Sequence, residues 1–139
     1  GYFQGLYTTV REPDELVTAI KFAAPALGHV HAFREISRRR GDFAIAGLAL
    51  VATRKNAALS DVRLALFGVD DRPVLASNAM AIIEGTPLDT NTIAQARDAL
   101  ADELAPPDDP AYPADYKRRV ASVLLERALT DLQAEILHV

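Results

Sequence analysis

Two hydrophobic patterns divide the chain into two parts. Between residues 13 and 74, apolar residues alternate with polar ones or form short continuous runs, as is typical of β-strands. From residue 75 onwards they recur every three or four positions, as is typical of amphipathic helices. Strands followed by helices predict an α+β fold: a small, three- to four-stranded, mostly antiparallel sheet followed by a layer of three helices.

Four segments carry the strand pattern. Residues 14–22 are apolar on both faces and predict a first strand. Residues 31–36 are compatible with a helix or a strand, and we favour a strand. Residues 43–53 are apolar throughout, as expected of a central strand that is covered on both sides. Residues 61–69 follow a polar turn at 55–58, so the last two strands should form a hairpin.

Three segments carry the helical pattern. The first spans residues 75–83 and ends before Gly85, a residue type that commonly stops helices. The second should be capped within residues 89–91 and the third should begin near Pro113. The buried stripe predicted for the second helix is Ile93, Ala96, Leu100 and Leu104. The stripe predicted for the third is Tyr116, Val120, Val123, Leu124, Ala128 and Leu132.

Length and composition predict a single domain. The 139 residues are enough for one core, with a lead-in at about 1–12, the sheet at 13–74 and the helical layer at 75–139. A net charge of -4 argues against nucleic acid as a partner. The absence of cysteine excludes disulfides and an iron-sulfur cluster held by this chain, and fits a reducing compartment. With no long apolar run, the chain is predicted to be soluble and cytoplasmic, without membrane insertion.

The common catalytic and metal-binding motifs are missing from the sequence. Carboxylate pairs occur at 14–15, 70–71 and 108–109, but neighbouring residues point to opposite faces of a strand or lie in turns. We interpret them as solubilising and capping groups. His29 and His31 have no third ligand at a suitable spacing. No catalytic residue and no metal site are therefore predicted.

A basic run that ends in an aromatic residue is the main candidate for a site. Residues 38–40 are three consecutive arginines, and Gly41, Asp42 and Phe43 follow them directly. Three adjacent guanidinium groups must lie in solvent, against a partner or beside an anionic ligand. The run is therefore either a solvated basic turn or the rim of a site.

Five motifs occur in a fixed order along most of the chain. They are GYFQG with TT (1–9), PDELVT (13–18), FREISRRRGDFA (33–44), FGVDDRPV (67–74) and PPD with YKRR (106–119). This order resembles the C-terminal domain of the FAD-binding medium subunit of molybdenum hydroxylases, the carbon monoxide dehydrogenase and xanthine dehydrogenase family.

The resemblance implies a role in electron transfer. In that family a substrate is oxidised at a molybdopterin centre on a large subunit, and electrons cross 2Fe-2S clusters on a small subunit. They reach FAD on the medium subunit and leave to NAD or another acceptor. The implied partners are an N-terminal FAD-binding domain and the large and small subunits, and this chain is not expected to be active alone.

The resemblance also assigns roles to five residues. Leu16 and Val17 match positions that line the flavin, although as strand residues they could equally belong to the core. Arg34 matches a position, usually lysine, that reaches the FAD. Asp42 and Phe43 lie in a loop that the family places beside the isoalloxazine. There Asp42 would set the charge that affects access of NAD, and Phe43 would pack on the ring.

One part of the family pattern is absent from this chain. The glycine-rich loops that hold the FAD pyrophosphate belong to the N-terminal region of the medium subunit, so this chain alone should bind FAD weakly or not at all. It is either a fragment of a larger flavin subunit or a stand-alone homologue of the last domain. The alternative function is a non-enzymatic interaction domain without FAD. The basic run at 116–119 is interpreted as a docking face without a catalytic role.

Overall fold

The computed structural model describes residues 1–137, and residues 138 and 139 at the end of the predicted helical layer lie outside it. Its strands are β1 (Phe3–Gly5), β2 (Thr8–Thr9), β3 (His29–Ser37), β4 (Ala44–Lys55), β5 (Ala58–Phe67) and β6 (Val74–Leu75). Strands β1 and β2 form a small hairpin, and β3 to β6 form an antiparallel sheet in chain order. The helices are α1 (Ser77–Ile83), α2 (Thr90–Glu103) and α3 (Ala114–Leu137). The predicted α+β architecture is confirmed.

The helices cover one face of the sheet. Alternate residues of β4 and β5 point towards them, as the two-residue period of a strand requires, and include Leu48, Leu50, Leu64 and Leu66, all buried. The opposite face remains open between β3 and β6, where Phe33 and Leu75 are both exposed. The strands therefore have one apolar face in the core and one face available for contact.

Side-chain carboxylates satisfy the start of two helices, one from its own capping residue and one from another helix. The Asp89 carboxylate accepts a hydrogen bond from Thr92 N at 2.8 Å, as predicted for a cap within residues 89–91. Helix α1 has no capping side chain of its own. Instead, the Glu103 carboxylate at the end of α2 accepts hydrogen bonds from Asn78 N and Ala79 N. This contact fixes α1 against α2 and satisfies donors that a helix start leaves open.

The predicted stripe of α2 is confirmed, because its four members are all buried. The stripe predicted for α3 is partly wrong. Val123 is 37% exposed, whereas Leu125 and Leu129 are fully buried and were missing from the prediction. Because α3 packs against both α2 and the sheet, its buried face is wider than a single stripe.

The predicted strand over residues 14–22 is wrong. Residue 14 belongs to a turn with residue 13, residues 15–22 form no regular secondary structure, and the large apolar side chains are exposed, including Leu16 at 84% and Phe22 at 88%. Residues 16–25 form no hydrogen bond within the described part of the chain. The outer edge of β3 is free in the described residues, but this segment does not pair with it. An apolar pattern alone, without that pairing, does not make a strand. The interpretation of Leu16 and Val17 as strand core is therefore wrong as well.

Candidate functional site

Three turns meet at one end of the molecule. They are the β1–β2 hairpin, the turn at 38–43 between β3 and β4, and the turn at 70–73 between β5 and β6. In an antiparallel sheet the connections after β3 and after β5 must lie at the same end. The fold thus places the predicted basic run beside two of the other sequence motifs.

Local hydrogen bonds shape the turn at 38–43. Asp42 N donates to Arg39 O at 3.0 Å, and Gly41 adopts a left-handed conformation with φ 83°. The Asp42 carboxylate accepts a hydrogen bond from Phe43 N at 3.0 Å. With its backbone held in this way, Phe43 projects its ring into solvent and is 92% exposed.

Phe43 forms one wall of an apolar cleft, here called the aromatic cleft. The cleft has a volume of about 560 Å³. Its lining side chains include Phe3, Leu6, Tyr7, Phe43, Asp71 and Arg72. Such a grouping of exposed aromatic rings is suited to a flat ring system.

Phe43 also borders a second cleft, here called the cationic cleft. This cleft has a volume of about 460 Å³. Its lining side chains include Arg38, Arg39, Asp42, Asp109, Tyr112 and Lys117. The two clefts thus share one aromatic ring, with apolar walls on one side of it and charged groups on the other.

Of the five predicted site residues, the structure brings together two. Asp42 and Phe43 lie side by side at the clefts. Leu16 and Val17 are exposed but line neither cleft. Arg34 lies on the helix-facing side of β3, where its guanidinium donates to the Asp131 carboxylate of α3 at 2.5 Å. The roles of all five towards a cofactor stay predictions.

Sequence reasoning did not single out Lys117, which lines the cationic cleft. It was placed within a basic docking face, but its side chain is buried and points to the cationic cleft. Its Nζ lies 3.8 Å from an Asp109 carboxylate oxygen. The only sequence signal was the run at 116–119, which does not distinguish the buried lysine from its half-buried and exposed neighbours.

The part of the chain that the structure describes contains neither a metal-binding cluster nor a membrane-spanning helix. Within residues 1–137, no group of three or more histidine, aspartate or glutamate side chains could hold a metal ion. In the same range no helix combines the length and apolar character needed to cross a bilayer.

Comparison with known proteins gives a family match over most of the chain. The model of the CO dehydrogenase flavoprotein C-terminal domain matches residues 31–132. The chain belongs to this family. The resemblance drawn from the five motifs is thereby confirmed.

Individual relatives agree with the family match. The chain is 37% identical over 134 residues to the carbon monoxide dehydrogenase medium chain of Afipia carboxidovorans, covering 96% of this chain and 46% of that protein. It is 30% identical over 132 residues to the glyceraldehyde dehydrogenase medium chain of Sulfolobus acidocaldarius, covering 94% of this chain and 46% of the relative. The chain therefore spans less than half the length of these curated relatives.

A solved structure shares the fold. Carbon monoxide dehydrogenase from Hydrogenophaga pseudoflava, in a form lacking the Mo-pyranopterin moiety of its cofactor, superposes with a TM-score of 0.90 at 32% identity. The match covers 96% of this chain and 47% of that one. The four-stranded sheet with its helical layer is thus the fold of a part of that protein.

Proposed function

We propose that this chain is the C-terminal domain of a flavin subunit that passes electrons from a molybdenum hydroxylase to NAD or another acceptor. In this proposal residues 1–139 form one domain that helps to cover FAD. The partners would be an N-terminal FAD-binding domain, a large molybdopterin subunit and a small iron-sulfur subunit. The chain would not be active alone, because the phosphate-binding loops would come from the N-terminal domain.

Family membership supports the general role. The matched relatives are medium chains of dehydrogenases, and the matched domain is named for a flavoprotein. Since this chain covers less than half of those relatives, most of the cofactor site would lie outside it. FAD would fit at the end of the molecule where the aromatic cleft lies, and would supply one-electron and two-electron transfer there.

The observation that carries the proposal is the exposure of Phe43 beside the aromatic cleft. A phenylalanine that is 92% exposed gains nothing from the core of this chain. Its position next to Phe3 and Tyr7 suits a face of a planar cofactor. Asp42, whose carboxylate is held by Phe43 N, would place a negative charge next to that ring.

Leu16 and Val17, which lie in the irregular stretch at residues 14–22, are proposed to contact the flavin. Their exposure leaves them free to pack against a cofactor or against the N-terminal domain. This proposal accounts for an apolar pattern that finds no partner within the described chain.

The test combines this chain with the N-terminal region of its subunit and measures bound flavin by absorbance. Phe43→Ala should lower FAD retention by about tenfold, as loss of an aromatic contact would. Asp42→Asn keeps an oxygen for Phe43 N and removes the charge, so it should leave retention unchanged and alter the rate of reaction with NAD. Asp102→Asn on the exposed side of α2 is the matched control.

Two results would count against this proposal. If Phe43→Ala retains flavin like the unchanged chain, Phe43 does not contact the ring. If the chain never increases flavin binding by the N-terminal region, the non-enzymatic interaction domain becomes the better description.

Arg34 needs a separate test because it is paired with Asp131. If its guanidinium reaches FAD in the assembled subunit, Arg34→Ala should lower FAD retention by about tenfold and Arg34→Lys should restore it, since a charged hydrogen bond is lost and then replaced. Asp131→Asn, which removes only the internal partner, should not lower retention. Equal effects of Arg34→Ala and Asp131→Asn would mean that Arg34 acts only by joining β3 to α3.

A further inference from the structure

The outer edge of the sheet, formed by β3, is long and open. Within residues 1–137, β3 pairs only with β4, so the backbone groups on its other side have no strand partner. Proteins usually protect such an edge with a proline, a lysine, a bulge or a covering element. The nine residues of β3 include no proline and no lysine, and the irregularity in its pairing lies at its end, between Ile36 and Ser37. The edge is therefore able to accept another strand.

One hydrogen bond fixes which backbone groups of β3 face the open edge. Arg54 N donates to Gly28 O at 2.8 Å, so Gly28, directly before β3, points its backbone groups towards β4. In an antiparallel pair this direction alternates from one residue to the next, and the pairing of β3 with β4 is regular up to its last residues. The N–H and C=O groups of His31, Phe33 and Glu35 therefore point to the open edge.

The sequence of β3 is complementary to itself about Phe33. If two copies of β3 are paired antiparallel about this residue, His31 of one copy lies opposite Glu35 of the other. Val30 lies opposite Ile36, and the two Phe33 rings lie side by side. An imidazole opposite a carboxylate and an apolar side chain opposite another are favourable cross-strand pairs, and in this register no two like charges are directly opposite.

A groove beside the edge has room for the side chains of an added strand. It lies between β3 and α3 and has a volume of about 570 Å³. Its lining side chains include Arg34, Glu35, Val123, Glu126, Arg127 and Asp131. Acidic groups outnumber basic ones in this lining, so the groove suits an incoming strand that carries a positive charge, as the Arg34 of a second β3 would.

We propose that β3 pairs with the β3 of a second copy of this chain across a two-fold axis at Phe33. The two four-stranded sheets would join into one continuous sheet. Residues 31, 33 and 35 of the two copies would form about six backbone hydrogen bonds, and the open edges of both sheets would be closed. Phe33, which is 54% exposed in the single chain, would lie at the centre of the interface. This pairing goes beyond the proposed function and does not depend on it.

Sedimentation of the 139-residue chain over a range of concentrations should show a monomer that converts to a dimer. Phe33→Lys should raise the dissociation constant by about tenfold or more, because two like charges would meet at the axis. Leu75→Lys is the matched control. Leu75 is also exposed, and it lies in the same row of paired residues as Phe33, but on β6 at the other side of the sheet. It should change the dissociation constant by no more than about twofold.

Cysteine cross-linking tests the register of the pairing even if Phe33→Lys fails to fold. The chain has no cysteine of its own. Phe33→Cys should give a disulfide-linked dimer on mild oxidation, because Cα atoms in such a pair are about 5.5 Å apart. His31→Cys should not link to itself. A mixture of His31→Cys chains and Glu35→Cys chains should give the mixed dimer, because these two positions are opposite each other.

Three results would overturn the proposal. The first is a chain that stays monomeric at every concentration measured. The second is an equal effect of Phe33→Lys and Leu75→Lys, which would place the interface on the open face of the sheet instead of its edge. The third is His31→Cys linking to itself as efficiently as it links to Glu35→Cys. None of these measurements uses flavin, so failure here leaves the proposed function untouched.

Discussion

At position 47 the absence of a side chain shapes the open face of the sheet. A Cβ built on Gly47 in β4 would come within 2.2 Å of the Phe67 ring. Because nothing projects there, the Phe67 ring lies over β4 and stacks on Phe33 of β3, with ring centroids 5.7 Å apart. One glycine therefore allows two aromatic rings to pack across three strands.

Gly47→Ala should lower the free energy of unfolding by about 1–3 kcal/mol, because the methyl group forces Phe67 out of its position. Urea denaturation followed by circular dichroism measures this change. Phe67→Ala removes the ring that the methyl group would meet, so G47A/F67A should cost less than the sum of the two single changes. Additive costs would mean that the two residues do not interact.

Among the elements, the joint between α1 and β5 includes a carboxylate, that of Glu84, directly after α1. The β4–β5 pairing is irregular between Val51 and Thr53, and there the Glu84 carboxylate accepts hydrogen bonds from Asp61 N and Val62 N, both at 2.9 Å. The hydrogen bond from Val62 N is the largest influence that lowers the pKa of Glu84 below its ordinary value. The joint therefore favours the charged form of Glu84.

Since the pKa of Glu84 is lower in the folded chain than in the unfolded chain, its contribution to stability is present above the unfolded pKa of about 4.3. It is lost as pH falls through the folded pKa. Glu84→Gln should lower the free energy of unfolding by about 1–3 kcal/mol at neutral pH, because one backbone N–H loses its acceptor.

The pH dependence separates this role from a loss of packing. Urea denaturation between about pH 5 and pH 3 should give a steeper loss of stability for the unchanged chain than for Glu84→Gln. Glu135→Gln, at an exposed position of α3, should follow the unchanged chain. Parallel curves for the unchanged chain and Glu84→Gln would contradict the proposed charge at the joint.

Prediction from the sequence succeeded for the elements whose apolar residues are buried within the chain. The strands at 31–36, 43–53 and 61–69 and all three helices were predicted correctly because each buries one face in a common core. The expectation that the strand at 43–53 is covered on both sides is wrong, since Val51 on its open face is 41% exposed. It failed at 14–22, where the same pattern meets no partner. Asp42 and Phe43 were singled out through a family motif, and their roles stay predictions. The burial of Lys117 was not predicted, because it depends on contacts such as that with Asp109, which a basic run in the sequence does not reveal.

At the scale of the whole molecule, large apolar side chains are exposed in two places, the open face of the sheet and residues 14–22. Phe33 and Leu75 are exposed on the open sheet face, and Leu16, Ile20 and Phe22 are exposed within residues 14–22. Exposed apolar surface on this scale marks an interaction site. Under the proposed function, an N-terminal FAD-binding domain is the partner that we expect to cover residues 14–22.

Limited proteolysis tests this expectation directly. In the separate chain, chymotrypsin should cut first after Phe22, which lies in a stretch without hydrogen bonds to residues 1–137, and only later after Phe67, which is held in β5. Adding the N-terminal region of the subunit should slow the cut after Phe22 by about tenfold or more, because a docked segment must open before it is cleaved. Chymotryptic cleavage of a short peptide substrate added to the same reaction distinguishes docking of the segment from a general loss of protease activity. An unchanged rate at Phe22 in a complex that has formed would mean that this segment is not part of the interface.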